Sequence, residues 1–171
     1  MLMKRLLTLA ALTAATCGAV HSQSVEQIVS EFGLLGTWAT DCSRPATALN
    51  IHTVYSLSGG GVRLTYRYGP VERANSIITR AERLSPDQIL YEEEPVDGER
   101  GRVEVVLAMT GGRIQVWRSR RPNGQLLVQD GRFTSDGAES PKQDKCRNWN
   151  ALNQGVRFAT RRPWRPLRAR D

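Results

Sequence analysis

The sequence predicts a mainly all-β domain: a small antiparallel barrel, or a strongly bent meander sheet, of about eight strands, with a short N-terminal helix and a basic C-terminal tail. Three features predict it. Stretches of alternating apolar and polar residues recur through the middle of the chain; in the clearest, Val62, Leu64, Tyr66 and Tyr68 alternate with Arg63, Thr65 and Arg67, the period of a half-buried strand. Turn residues punctuate them at Ser58-Gly59-Gly60-Gly61, Ser85-Pro86-Asp87, Gly111-Gly112 and Pro122-Asn123-Gly124. The connections are too short for the helical crossovers that parallel strands require. Closure into a barrel disposes of sheet edges, although pattern alone leaves a two-layer sandwich open as an alternative.

The chain begins with Lys4 and Arg5, an apolar run from Leu6 to Ala15 and then small residues, which reads as a cleavable signal peptide over residues 1–22, cut after Ser22 in preference to Ala19. The apolar run is shorter than the roughly 20 residues a membrane-spanning helix takes, and no transmembrane segment is expected elsewhere. Ala14-Ala15-Thr16-Cys17 departs from the lipidation pattern at two positions, so lipidation of Cys17 is disfavoured. Loss of the leader leaves Cys42 and Cys146, an even pair expected to form a disulfide in an oxidising, periplasmic or extracellular compartment. Residues 23–156 then form a single domain.

Ser24-Val25-Glu26-Gln27 has the pattern of a capping box, and Val25, Ile28, Val29 and Phe32 share a helical stripe that Gly33 ends. Strands are expected over Leu34 to Thr40, Asn50 to Leu57, Val62 to Tyr68, Ser76 to Leu84, Gln88 to Glu92, Val103 to Met109, Arg113 to Ser119 and Leu126 to Phe133, the last three forming a meander. From Thr134 the polar composition predicts a loop that delivers Cys146 to its partner. Arg147 to Leu152 reads as a helical turn packing Trp149. Residues 157–171, with Pro163, Pro166 and six arginines, read as a disordered tail.

The net charge of +7 is a tail property. The leader carries 2 of the 24 basic residues and the tail 6, so the domain between them balances 16 bases against 16 acids. That distribution argues against a nucleic-acid partner. Arg161, Arg162, Trp164, Arg165 and Arg168 mark the tail instead as a candidate for binding an anionic envelope component.

The residues for conventional catalysis are missing. His52 is the one histidine of the mature chain and reads as an ordinary strand residue, so neither a Ser-His-Asp arrangement nor a multi-histidine metal site can be assembled. Glu92-Glu93-Glu94 lacks calcium-loop spacing and reads as a solvated strand end. Asp41, Glu104 and Asp130 show no spacing that pairs them. Gly59 to Gly61 leads into a strand and not into the helix of a phosphate loop. No enzymatic activity, metal or cofactor is expected. Trp38, Tyr55, Tyr66, Tyr68, Tyr91 and Trp117 all fall on expected strands, and either fill a core or line a pocket for an apolar molecule; Trp38, Tyr66 and Trp117 are the candidate ligand-binding set. Strand parity puts Trp117 on the face opposite Ile114 and Val116.

The block Gly36-Thr37-Trp38-Ala39-Thr40-Asp41-Cys42-Ser43 follows the helix, Gly69-Pro70 ends the third strand, and Val128-Gln129-Asp130-Gly131 precedes the second cysteine. Over residues 30–147 this resembles a family of secreted bacterial proteins without an assigned activity. Gly36-x-Trp38 also resembles the element that opens the first strand of lipocalin-like barrels, where the Trp closes the barrel end under an Arg of the last strand, a position Arg132 could take. That resemblance implies a small barrel and ligand binding. The sequence therefore predicts an exported, non-enzymatic barrel for an apolar or amphipathic small molecule. The rival expectation is an envelope-associated or inhibitor-like interaction domain acting through its surface and basic tail. Neither reading specifies an oligomeric state.

Overall fold

A computed structural model describes residues 22–70, 72–98 and 101–146. The leader up to residue 21, the expected turn at Arg147 to Leu152 and the 157–171 tail, with its candidate arginines and Trp164, lie outside the described residues. Helix α1 spans Val25–Glu31, with the Ser24 hydroxyl accepting the Gln27 amide at 3.2 Å, as the capping pattern predicts. Among the described residues ten strands follow: β1 Gly36–Ala39, β2 His52–Ser58, β3 Gly61–Arg67, β4 Glu72–Ser85, β5 Gln88–Pro95, β6 Val103–Thr110, β7 Arg113–Arg120, β8 Leu126–Gln129, β9 Arg132–Phe133 and β10 Gln143–Lys145.

All the pairings are antiparallel. Strands β1 to β7 pair in sequence order, and β10 lies between β1 and β7, so eight strands close a barrel. Its closing registers are Trp38 opposite Lys145 and Ile114 opposite Gln143. The barrel predicted from the sequence is thus the observed architecture, and the sandwich is not. The far end of β7 pairs with β8 instead, so β8 and β9 form a hairpin outside the closed ring. Asp130 and Gly131, at φ 49° and 73°, make the tight turn that splits the expected strand from Leu126 to Phe133 in two.

Expectation and structure part at β10. Gln143-Asp144-Lys145 is polar throughout and too short for any alternation to register, so the sequence reads as loop where the chain supplies the strand that closes the barrel.

The two barrel ends differ. The β2–β3, β4–β5 and β6–β7 turns lie at one end, where α1 packs across β3 and β4. Val29, Phe32 and Leu34 enter the same core as Trp38, Val62, Ile78 and Ile89. The Trp38 indole N–H donates to the Leu34 carbonyl at 2.7 Å, tying the buried ring to the segment after the helix. Gly36 is required here: its φ is +125°, and a Cβ would stand 3.2 Å from the Lys145 side chain. Outside, β4 to β7 carry a cross-strand row of charge, with Arg80 on Glu92, Arg102 on Glu92 and Glu94, and Arg118 and Arg120 on Glu104. Such exposed pairs contribute little stability each, about 0 to 1 kcal/mol, but they keep the wall polar.

The Cys42–Cys146 disulfide links residues 104 apart and pins the segment after β1 to the end of β10, where the Cys146 amide donates to Thr37 O at 2.8 Å. Closing a loop of that length stabilises a fold by at most about 4 to 5 kcal/mol through the unfolded chain. Reduction, or the Cys42→Ala/Cys146→Ala pair, is therefore expected to lower the urea midpoint, with hydrogen-exchange protection lost earliest at Gln143–Lys145. Unchanged protection of those amides in the reduced protein would show that β10 holds without the bond.

Candidate functional site

At the end away from α1 the barrel interior is unfilled. A cavity of about 260 Å³ opens there. Its wall is built from inward positions of strands at two-residue spacing: Thr53 and Tyr55 of β2, Tyr66 of β3, Tyr91 of β5, Leu107 of β6, Ile114 and Val116 of β7. The rim comes from Leu49 and Ile51 of the β1–β2 loop, Tyr68 after β3, Phe133 of β9, and Pro141 before β10. Among the described residues, none of those lining it is an Asp, Glu, Lys, Arg or His.

The polar atoms inside are largely matched. The Tyr55 and Tyr91 hydroxyls lie 3.1 Å apart, with their rings edge-to-face at 6.3 Å. The Tyr66 hydroxyl donates to Glu93 Oε2 at 2.9 Å. Gln143 reaches in from β10 and donates to Ile51 O and Thr53 Oγ1, both at 3.2 Å. Burial raises the pKa of all three tyrosines above the ordinary phenol value, and the nearby Glu93 charge reinforces it, so they stay neutral donors across the physiological range.

The rim loop is held by Asn50. Its Oδ1 accepts the Asp41 amide at 3.0 Å, and its Nδ2 donates to Asp41 O at 2.9 Å and Pro45 O at 3.1 Å. The same Nδ2 lies 3.1 Å from Nε2 of His52, a fully buried residue on the outer side of β2. His52 is thus a buried support of the rim loop, more than an ordinary strand residue. The Asp41 carboxylate turns away to the Ser43 amide and hydroxyl and to Arg44, and those two Ser43 hydrogen bonds lower its pKa.

The three aromatic candidates do not share one pocket. Tyr66 lines the cavity. Trp38 is buried at the closed end, packed with the residues around α1. Trp117 stands 40% exposed on the outer wall, on the face opposite Ile114 and Val116 where strand parity puts it. It borders an outer groove with Leu84 and Leu126. The cation over Trp38 is Lys145, 5.5 Å from the ring and donating to Gly33 O at 2.7 Å; Arg132 instead donates to Gly137 O within the β9 hairpin. Glu93 is no solvated strand end either. Shared parity with the buried Tyr91 turns it inward, while Glu92 and Glu94 face the outer arginines. Tyr55 and Tyr91, the pair central to the cavity, were legible as strand aromatics but not as hydrogen-bond partners, since their meeting depends on closure.

A scan against protein-family models finds no match, and searches of the curated proteins and of the solved structures find none either. Among the described residues, no helix is long and apolar enough to cross a membrane.

Burial lowers the His52 pKa below its usual value, repulsion from Arg67 adds to this, and the Arg44 backbone and the Asp41 charge oppose it. The unfolded chain therefore binds the proton more readily. The stability tied to neutral His52 is complete above about pH 6.5 and is lost as pH falls through the lower, folded-state value. Thermal midpoints should decline between pH 7.5 and 5, ahead of the more acid window in which Asp41 titrates. His52→Gln should flatten that decline; an equal slope in the variant would assign it to other groups.

Proposed function

We propose that this protein is an exported, non-enzymatic barrel that holds a small, mainly apolar molecule at the open end. One observation carries the reading: a closed barrel is plugged by a helix at one end, and at the other its interior is an uncharged cavity whose rim bears exposed apolar side chains, Leu49 at 97% exposure among them. A core built only for stability would fill that space, since unfilled apolar volume costs about 24 cal/mol per Å³. The disulfide supports an oxidising compartment. Among the described residues lining the cavity no side chain offers an ionised nucleophile or base, which supports binding over catalysis.

The rival reading, an interaction domain acting through its surface, draws support from the outer groove, where Leu84 and Trp117 stand 44% and 40% exposed.

The two readings separate on one experiment with 1-aminonaphthalene, an uncharged probe whose fluorescence rises on leaving water. The cavity reading expects saturable enhancement that Val116→Trp weakens at least tenfold by filling part of the space, with circular dichroism unchanged, and that Trp117→Ala leaves alone. Enhancement lost in Trp117→Ala and kept in Val116→Trp would move the site to the outer wall.

A further inference from the structure

The cavity's chemistry narrows what it can hold, and the narrowing rests on the reading that the cavity binds a ligand. Size sets the first limit. An engineered apolar cavity of about 150 Å³ accommodates benzene, so by proportion 260 Å³ accommodates about ten non-hydrogen atoms.

Charge sets the second limit. Among the described residues no cationic side chain lines the wall or the rim, so a carboxylate or phosphate would leave water with none of them as a counter-charge. The inward Glu93 does not line the cavity itself, and Tyr66 engages it from the cavity wall.

Hydrogen-bond inventory sets the third. Tyr55 and Tyr91 meet at 3.1 Å through one hydrogen bond, which uses one of their two hydroxyl protons. Whichever hydroxyl accepts keeps a proton for which the described residues supply no acceptor. The Tyr66 proton is already committed to Glu93 and the Gln143 amide to Ile51 and Thr53. The tyrosine pair is thus the donor left over inside an otherwise apolar space.

We propose that the ligand is an uncharged, mainly apolar molecule of about ten non-hydrogen atoms bearing one acceptor oxygen, of the alcohol, aldehyde, ketone or ester class, which accepts from the Tyr55–Tyr91 pair. Anionic amphiphiles of the same chain length are excluded. The pair orients the oxygen, the Leu107 and Ile114 side chains take the carbon chain, and the rim residues Leu49 and Phe133 cover its end.

The test uses three probes of matched size at pH 8: 1-octanol, octanoate and butylbenzene, titrated calorimetrically into the oxidised protein. The expected result is binding of octanol and butylbenzene, with octanoate at least tenfold weaker than octanol. The Tyr55→Phe/Tyr91→Phe double variant removes both hydroxyls while keeping both rings. It should weaken octanol by about fivefold, the loss of one ordinary hydrogen bond, and leave butylbenzene unchanged. Octanoate binding as tightly as octanol would overturn the exclusion of anions and leave the cavity-binding reading standing. Octanol affinity unaffected in the double variant would overturn the donor assignment. Failure of all three probes to bind would overturn the cavity-binding reading itself.

Discussion

Everything inside this barrel depends on one three-residue strand. Among the described residues β10 is the segment that pairs with both β1 and β7. Without it, β1 and β7 would each present an edge, and the cavity would be a trough along an open sheet. Each of its residues has a separate task. Gln143 points inward and bonds Ile51 and Thr53 across the neighbouring strands. Asp144 points outward to Arg113 at 3.4 Å. Lys145 sits beneath Trp38 at the closed end and donates to Gly33. Three residues make too few ladder bonds to hold a strand alone, which gives the adjacent Cys42–Cys146 bond its structural meaning: it tethers the closing strand to the segment just after β1.

Closure sorts the interior into two halves. Toward α1, apolar side chains from the helix and from β1, β3, β4 and β5 meet, and the buried indole N–H of Trp38 finds the Leu34 carbonyl. Toward the open end, tyrosines replace aliphatic residues and pair their hydroxyls with one another or with Glu93. A buried polar group costs free energy unless matched, so the tyrosines are positioned by their partners as much as by packing. The fold thereby places a small set of neutral donors in a space that strand geometry keeps from collapsing.

Much of this architecture was legible in the chain. Apolar stretches between turn residues located seven of the barrel strands, most plainly β3, where one face is buried and the other more exposed. The capping box located α1, and cysteine arithmetic located the disulfide. What escaped did so for physical reasons. The closing strand is short and polar, so it has no alternation to read. Strand parity already set Trp117 opposite Ile114 and Val116, but which of the two faces encloses the cavity depends on closure. Glu93 hides within an acidic run that looks uniform in sequence yet alternates in space. The cation over Trp38 comes from Lys145 and not from Arg132, since the strand that ends the barrel is β10 and Arg132 belongs to an external hairpin.

The central claim is that a β10-closed barrel keeps an accessible apolar space between Tyr55, Leu107 and Ile114. Xenon enters such spaces without needing a matching functional group. A crystal structure of the oxidised protein under xenon pressure should show β10 between β1 and β7 and a xenon peak among those three side chains. Side chains packed across that position with no xenon, or bound xenon confined to the outer groove beside Trp117, would contradict the account.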